Sequence, residues 1–135
     1  MRSRFAAFSL GLGGYLIRTL AAEHPDLALP RTDFERELSR AHERQRFLGL
    51  TILLSTQEKG DGEVLFHARI FEKGQDRSFA ELSRFVQQDG SWRYASGIVA
   101  LKSELPEDLR SPEAGASGST FGLRTRNWLL GSRAP

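Results

Sequence analysis

Between Glu63 and Leu101 the chain alternates apolar and polar residues (EVLFHARIFEKGQDRSFAELSRFVQQDGSWRYASGIVAL), with interruptions at Lys73-Gly74-Gln75-Asp76 and Asp89-Gly90. A period of two belongs to a half-buried strand, and Asp-Gly between two such runs is a hairpin signal. The pattern predicts three antiparallel strands, near 63–72, 77–87 and 91–101. A two-residue Asp89-Gly90 loop sets Phe85 opposite Tyr94 and Ser83 opposite Ser96. A four-residue Lys73–Asp76 loop sets Phe66 opposite Ser83 and Ala68 opposite Glu81.

Alternation then sorts the side chains into two faces. One carries Val64, Phe66, Ala68, Ile70, Phe79, Glu81, Ser83, Phe85, Trp92, Tyr94, Ser96 and Ile98. The other carries Leu65, His67, Arg69, Phe71, Ala80, Leu82, Arg84, Arg93, Ala95 and Val99. The first is aromatic and apolar around a single carboxylate, so it is the expected core face. The second is mixed and basic.

Upstream, three helices are expected. Arg2–Leu10 breaks at Gly11, Gly13 and Gly14, and a second helix runs from Gly14 to Glu23, ended by His24-Pro25. A third begins at Thr32, where Thr-x-x-Glu makes a capping box and Phe34, Leu38 and Ala41 share a stripe. Phe47–Ser55 (FLGLTILLS) reads as a further strand, closed by Lys59-Gly60-Asp61-Gly62. After Leu101 the pattern decays. Residues 105–135, with Pro106, Pro112 and the SPEAGASGST stretch, read as a flexible tail. Within it Phe121–Leu130 is an apolar-basic segment that fits no motif. The predicted class is α+β: three N-terminal helices on a curved antiparallel sheet of about four strands.

Composition excludes several functions. A chain of 135 residues with 39% hydrophobic and 27% charged residues suits one globular domain. Its net charge is only +2 and no segment carries a large basic surplus, so no nucleic-acid partner is expected. Without cysteine there is no disulfide, no thiolate nucleophile and no Cys-ligated zinc in this chain. His24, His42 and His67 lack metal-ligand spacing, so neither metal nor cofactor is expected. No stretch approaches the length of a membrane span. The opening imitates a secretory signal, but its glycines and Arg18 interrupt the pattern, and a cytoplasmic location is expected.

The order and spacing of several short motifs resemble those of the YchJ-like family. MRSRFAAF followed by YLIRT resembles the opening of that family's central domain. GEVLFHARIF, FAELSRF and DGSWRYASG resemble its V-x-F-x-A, E-x-S-x-F and DG-x-W-x-Y-x-x-G runs. The resemblance covers roughly residues 1–100. It implies a nuclear-transport-factor-2-like (NTF2-like) cone of curved sheet closed by helices around a pocket, with residues 1–104 as the domain. It also makes Met1–Leu10 part of a folded cap rather than a signal. Relatives usually carry a cysteine-rich, zinc-binding SEC-C motif before the MRSR segment. Its absence here implies either a start upstream of Met1 or a member that lacks the motif. The family's Asp before the last glycine is Ser96 here, and its Trp-His-Pro appears as Leu20-Ala21-Ala22-Glu23-His24-Pro25.

The resemblance supplies no reaction, so the chemistry must come from residues. Glu81 among Phe66, Phe85, Trp92 and Tyr94, with Ser83 beside it, is a desolvated carboxyl. Such a group must be hydrogen-bonded or paired, and Arg4 or Arg18 is the expected partner. No second acid or base is evident on its face, so no catalytic residue is assigned. Aromatics alternating along a strand, as Trp92 and Tyr94 do, are more often core than stacking platforms. Three readings follow. The favoured one is a binding or adaptor module with a cone-shaped pocket and a protein partner. The second is a small-ligand binder or pocket enzyme using Glu81. The third is self-association through the face bearing Arg69, Arg84 and Arg93.

Overall fold

The computed structural model describes residues 1–110 and 120–133. Three helices, α1 (Arg2–Leu10), α2 (Gly13–Arg18) and α3 (Arg31–Arg44), precede an antiparallel sheet. Its strands are β1 (Gln45–Glu58), β2 (Asp61–Glu72), β3 (Gln75–Asp76), β4 (Phe79–Gln88) and β5 (Ser91–Leu101), in the order β1-β2-β4-β5 with β3 paired to β2. A fourth helix, α4 (Thr120–Arg133), follows. The α+β class and its helical cap on a curved sheet agree with the sequence.

Every long hairpin closes through two residues in the left-handed region: Lys59-Gly60 (φ 46° and 83°), Lys73-Gly74 (52° and 74°) and Asp89-Gly90 (53° and 78°). Two consecutive positive φ values are those of a type I′ turn, whose twist matches that of the strands it joins. This corrects the expected four-residue loop. The chain reverses at Lys73-Gly74, pairs Gln75 and Asp76 with Glu72 and Phe71, and kinks at Arg77-Ser78 before β4 begins. The kink is held by Arg77 N–H on the Ile70 carbonyl (2.8 Å) and Ser78 N–H on the Asp76 carboxylate (2.9 Å). Phe66 therefore faces Glu81 rather than Ser83, and Ala68 faces Phe79 rather than Glu81. A slip of two residues preserves the faces.

A slip of one residue does not. Phe85 pairs with Tyr94 as expected, but an irregularity at the next step places Ser96 opposite Arg84 and Gly97 opposite Ser83. The inserted residue reverses alternation along the rest of β5. Ser96 and Ile98 move to the second face, and Gly97 comes under Glu81.

The cap differs from expectation in two places. α2 stops at Arg18, and the chain then runs along the sheet edge: Tyr94 N–H donates to the Thr19 carbonyl and Ala21 N–H to the Tyr94 carbonyl, both at 2.7 Å. α3 starts at Arg31 after Pro30, and Thr32 lies inside the helix without capping it. Where α2 meets α3, a Cβ on Gly13 would stand 2.4 Å from the Glu35 carbonyl, so the contact requires glycine.

Both faces of the sheet are covered. On the first, Phe66, Ala68 and Ile70 pack with Phe5, Phe47 and Phe79 beneath the cap. On the second, Leu53, Leu65, Ala80, Leu82 and Ala100 pack against Leu105, Leu109 and Leu129. The described part of the stretch expected to be a flexible tail is thus ordered structure. α4 lays Leu129 and Thr125, both 0% exposed, onto the second face, and Arg126 pairs with Glu63 at 2.9 Å. Residues 111–119 and 134–135 of that expectation lie outside the described residues. Among the described residues no helix is long and apolar enough to cross a membrane.

Candidate functional site

The floor of the site is built by β4 and β5. Glu81 is 8% exposed, and Tyr94 donates its hydroxyl to Oε2 at 2.8 Å. Ser83, on the same face of β4 and fully buried, donates a second, very short bond to the same oxygen. No described residue donates to Oε1. Gly97 makes room for the arrangement, since a Cβ there would lie 2.4 Å from the Tyr94 hydroxyl and 2.5 Å from Oε2. The irregularity in β5 is what puts this glycine, rather than a side chain, under the carboxyl.

Arg4 closes the site from α1. It is 7% exposed, and its guanidinium lies 4.9 Å from the centre of the Tyr94 ring, within cation–π range. Nη1 donates to the Leu16 carbonyl at 2.8 Å and to Thr19 Oγ1. Nε is buried without an acceptor. The expected direct arginine–Glu81 pair is therefore corrected: hydroxyls satisfy the carboxyl, and Arg4 acts on it across the tyrosine ring. Arg18 is exposed and takes no part.

Burial pushes the Glu81 carboxyl above its ordinary range, while the Ser83 and Tyr94 hydroxyls and Arg4 hold it partly down. Burial and the neighbouring carboxyl raise the Tyr94 phenol, which stays protonated as a donor. Burial also lowers the Arg4 guanidinium, offset in part by Tyr94 and Glu81.

Above the floor lies a cavity of about 230 Å³ between cap and sheet. Its walls are mainly apolar, among them Phe5, Leu16, Phe34, Leu38, Phe47, Phe66 and Ile70. Glu81, Tyr94, Arg4, His24 and Asp26 supply its polar groups. His24 and Asp26 were not legible as site residues. They come from the loop after α2, where Asp26 N–H donates to His24 Nδ1 at 3.1 Å, so the neutral ring carries its proton on Nε2. The His24 ring stands 5.8 Å from that of Tyr94. A second acid/base group thus lines the cavity that Glu81 floors, from the cap rather than the sheet.

A second, outer cleft of about 240 Å³ lies on the other side of Arg4 and is lined by Phe85, Trp92, Val64, Tyr15 and the β1 residues Ser55, Thr56 and Gln57. The six predicted lining residues thus divide. Phe66, Glu81 and Tyr94 line the inner cavity, Phe85 and Trp92 the outer cleft, and Ser83 is sealed beneath Glu81.

Arg69, Arg84 and Arg93 do not form an open basic patch. The face they were assigned to is largely occupied by Leu105, Leu109 and α4. Arg84 pairs with Asp61 at 2.9 Å, and Arg93 donates around the sheet edge to the Arg18 carbonyl. Arg69 is exposed. His67, on the same face, is buried with Nε2 3.2 Å from the Leu109 carbonyl. Among the described residues no cluster of His, Asp and Glu could hold a metal ion.

Comparison with known proteins gives a consistent picture. Residues 1–97 match the family model described as YchJ, middle NTF2-like domain. A UPF0225 protein of Chromobacterium violaceum is 33% identical over 103 residues, covering 74% of this chain and 71% of the relative. The UPF0225 protein YchJ of Shigella dysenteriae serotype 1 is 35% identical over 99 residues, covering 72% of this chain and 62% of the relative. A UPF0225 protein of Enterobacter sp. (strain 638) is 34% identical with the same coverage. The chain thus spans less than two thirds of the length of these last two. The solution structure of a SEC-C motif containing protein from Rhodopseudomonas palustris superposes with a TM-score of 0.61 at 34% identity, covering 72% of this chain and 73% of that one.

Proposed function

We infer that this chain, which belongs to the YchJ family and carries its middle NTF2-like domain, is a binding module that takes a small, largely apolar molecule into the inner cavity above Glu81. One observation carries the reading: a hollow of about 230 Å³ with apolar walls and a few polar groups converging at one end. That is the composition of a ligand site rather than of a packed core. The volume lies below the roughly 300–1,000 Å³ typical of drug-sized ligands, so the ligand is small. Oε1 of Glu81, which receives no hydrogen bond from any described residue, is the group that orients it. Ionised, it accepts from a hydroxyl or amine; protonated, it donates to a carbonyl.

The pocket favours a ligand binder over an adaptor whose surfaces do all the work, and the occupied second face weighs against self-association there. The SEC-C motif named for the Rhodopseudomonas structure has no cysteine counterpart in this chain.

Phenol, an apolar ring with one hydroxyl, is a suitable probe. In methyl and amide NMR spectra, phenol should give saturable shifts at Ile70, Leu16 and Leu20 around the cavity. Leu38→Trp, which fills the cavity from the cap, should weaken phenol at least about tenfold. Shifts confined to other surfaces, or unaffected by Leu38→Trp, would reject the reading.

A further inference from the structure

Arg4 also faces the outer cleft, and there it has a different chemistry to offer. It is the one charged side chain among the described residues that line this cleft. Around it stand hydroxyls and an amide, from Ser3, Tyr15, Thr56 and Gln57, and the Trp92 ring at the rim, 36% exposed. Tyr15 donates its hydroxyl to Ser3 Oγ at 2.8 Å, leaving the Ser3 hydrogen to donate elsewhere.

The guanidinium is only half used by the protein. Nη1 is committed to Leu16 and Thr19. Nε is closed off from water and has no acceptor, and no described residue accepts from Nη2. Nη2 is therefore the nitrogen left to donate to an incoming acceptor, and a guanidinium N–H on a carboxylate oxygen is a charge-assisted hydrogen bond. A buried charged donor without a partner costs free energy that an acceptor would recover.

We propose that the outer cleft binds the carboxylate of a small aromatic acid, held by Nη2 of Arg4 with its ring against Trp92. The inner cavity is the wrong place for such an anion, because Glu81 and Asp26 both line it. The outer cleft presents no acid among its described lining residues. The apolar side of the cleft, Phe85, Val64 and Trp92, suits a ring better than a bare ion.

Benzoate and benzamide share a shape and differ in charge, so the pair isolates the role of Arg4. Benzoate should perturb the Trp92 indole N–H and the Arg4 Nε–H in amide and side-chain NMR spectra, and bind at least about tenfold more tightly than benzamide. Gln57→Glu places an acid on the exposed wall without touching the buried network. It should weaken benzoate at least about fivefold and leave benzamide unchanged. Arg4→Lys keeps the charge but loses the Nη2 donor, and should weaken benzoate about tenfold. If the Arg4→Lys variant does not fold, the first two measurements still decide. Equal affinity for both probes, indifference to Gln57→Glu, or benzoate shifts at Ile70 and Leu20 instead of Trp92 would overturn the proposal. That last outcome would leave the inner cavity standing as a ligand site.

Discussion

Gly97→Ala is the most direct test of the site's construction. The new methyl would lie 2.4 Å from the Tyr94 hydroxyl, 2.5 Å from Glu81 Oε2 and 2.8 Å from Glu81 Cδ. Glu81 is buried, Tyr94 is half-buried, and the 2.8 Å bond ties them together, so neither moves aside freely. Overpacking a rigid interior costs about 1–3 kcal/mol. Parting Tyr94 from a buried carboxyl adds the loss of a strong hydrogen bond, about 1.5–3 kcal/mol. Because one movement relieves part of the other, the net loss should be about 2–4 kcal/mol. At this chain length that lowers the melting temperature by roughly 6–16 °C. Gly49→Ala is the control, since a Cβ there meets nothing within 4 Å; it should change stability by less than about 0.5 kcal/mol. Calorimetric melts of both variants, repeated on a Tyr94→Phe background, complete the cycle. With the hydroxyl gone, Gly97→Ala should cost at least about 1 kcal/mol less than in the wild type. A Gly97→Ala melting point within about 2 °C of the wild type, or an unchanged cost in the Tyr94→Phe background, would refute the reasoning.

Two further outcomes are expected. Glu81 has a folded-state pKa raised above 4.5, so its contribution is fully present below that pH and is lost as pH rises through the raised value. Against a Glu81→Gln variant, wild-type stability from urea midpoints should therefore fall from about pH 4.5 upward and then level; parallel curves would show that Glu81 titrates as in the unfolded chain. Burial lowers His67 from 6.5, so its contribution runs the other way, present above that pH and lost as pH falls, but it is common to both proteins and cancels. Leu129→Ala should cost about 2–4 kcal/mol, because the side chain is wholly buried under the sheet. Leu123→Ala, on the same helix but 51% exposed, should cost less than about 0.5 kcal/mol, and equal losses would mean that α4 does not dock as described.

Much of the fold was legible because it rests on short-range signals. Asp89-Gly90 specified a type I′ turn, and with it the pairing of Gln88 with Ser91 and Phe85 with Tyr94. Glycines after α1 and prolines before α3 marked the cap's boundaries to within a few residues. What failed depended on distant partners. The Arg77-Ser78 kink has no strong sequence signature, because Ile70 and Asp76 hold it. The slip at Ala95 arises in the middle of an alternating run, so Ser96 and Ile98 read as core-face residues. Within the stretch read by composition as a tail, the described residues Leu105, Leu109 and Leu129 acquire their value only once Leu65 and Leu82 face them. Glu81 and Tyr94 were legible as a buried polar pair. His24 and Asp26 were not, since only the path of the loop after α2 brings them over the same cavity.

The two faces of the sheet were judged in the wrong terms. The aromatic face looked like core and the basic face like surface, but it is the basic face that is filled. Leucines of the sheet, of α4 and of the segment before it close it, and His67, the one buried ionisable side chain among its described residues, is bonded to the Leu109 carbonyl. The aromatic face carries larger side chains and yet leaves space, because Phe5, Phe47, Phe66 and Phe79 are stiff plates that meet edge to face. Into that space the chain sends an arginine, a carboxyl, a phenol and an imidazole loop, each of which carries a desolvation penalty. Stability alone would favour replacing such a group with leucines, as the opposite face shows. A buried Arg4 that spends Nη1 on the cap and leaves Nη2 without an acceptor among the described residues is intelligible as part of a recognition surface. It is hard to account for as a staple, because a staple would use the whole fork.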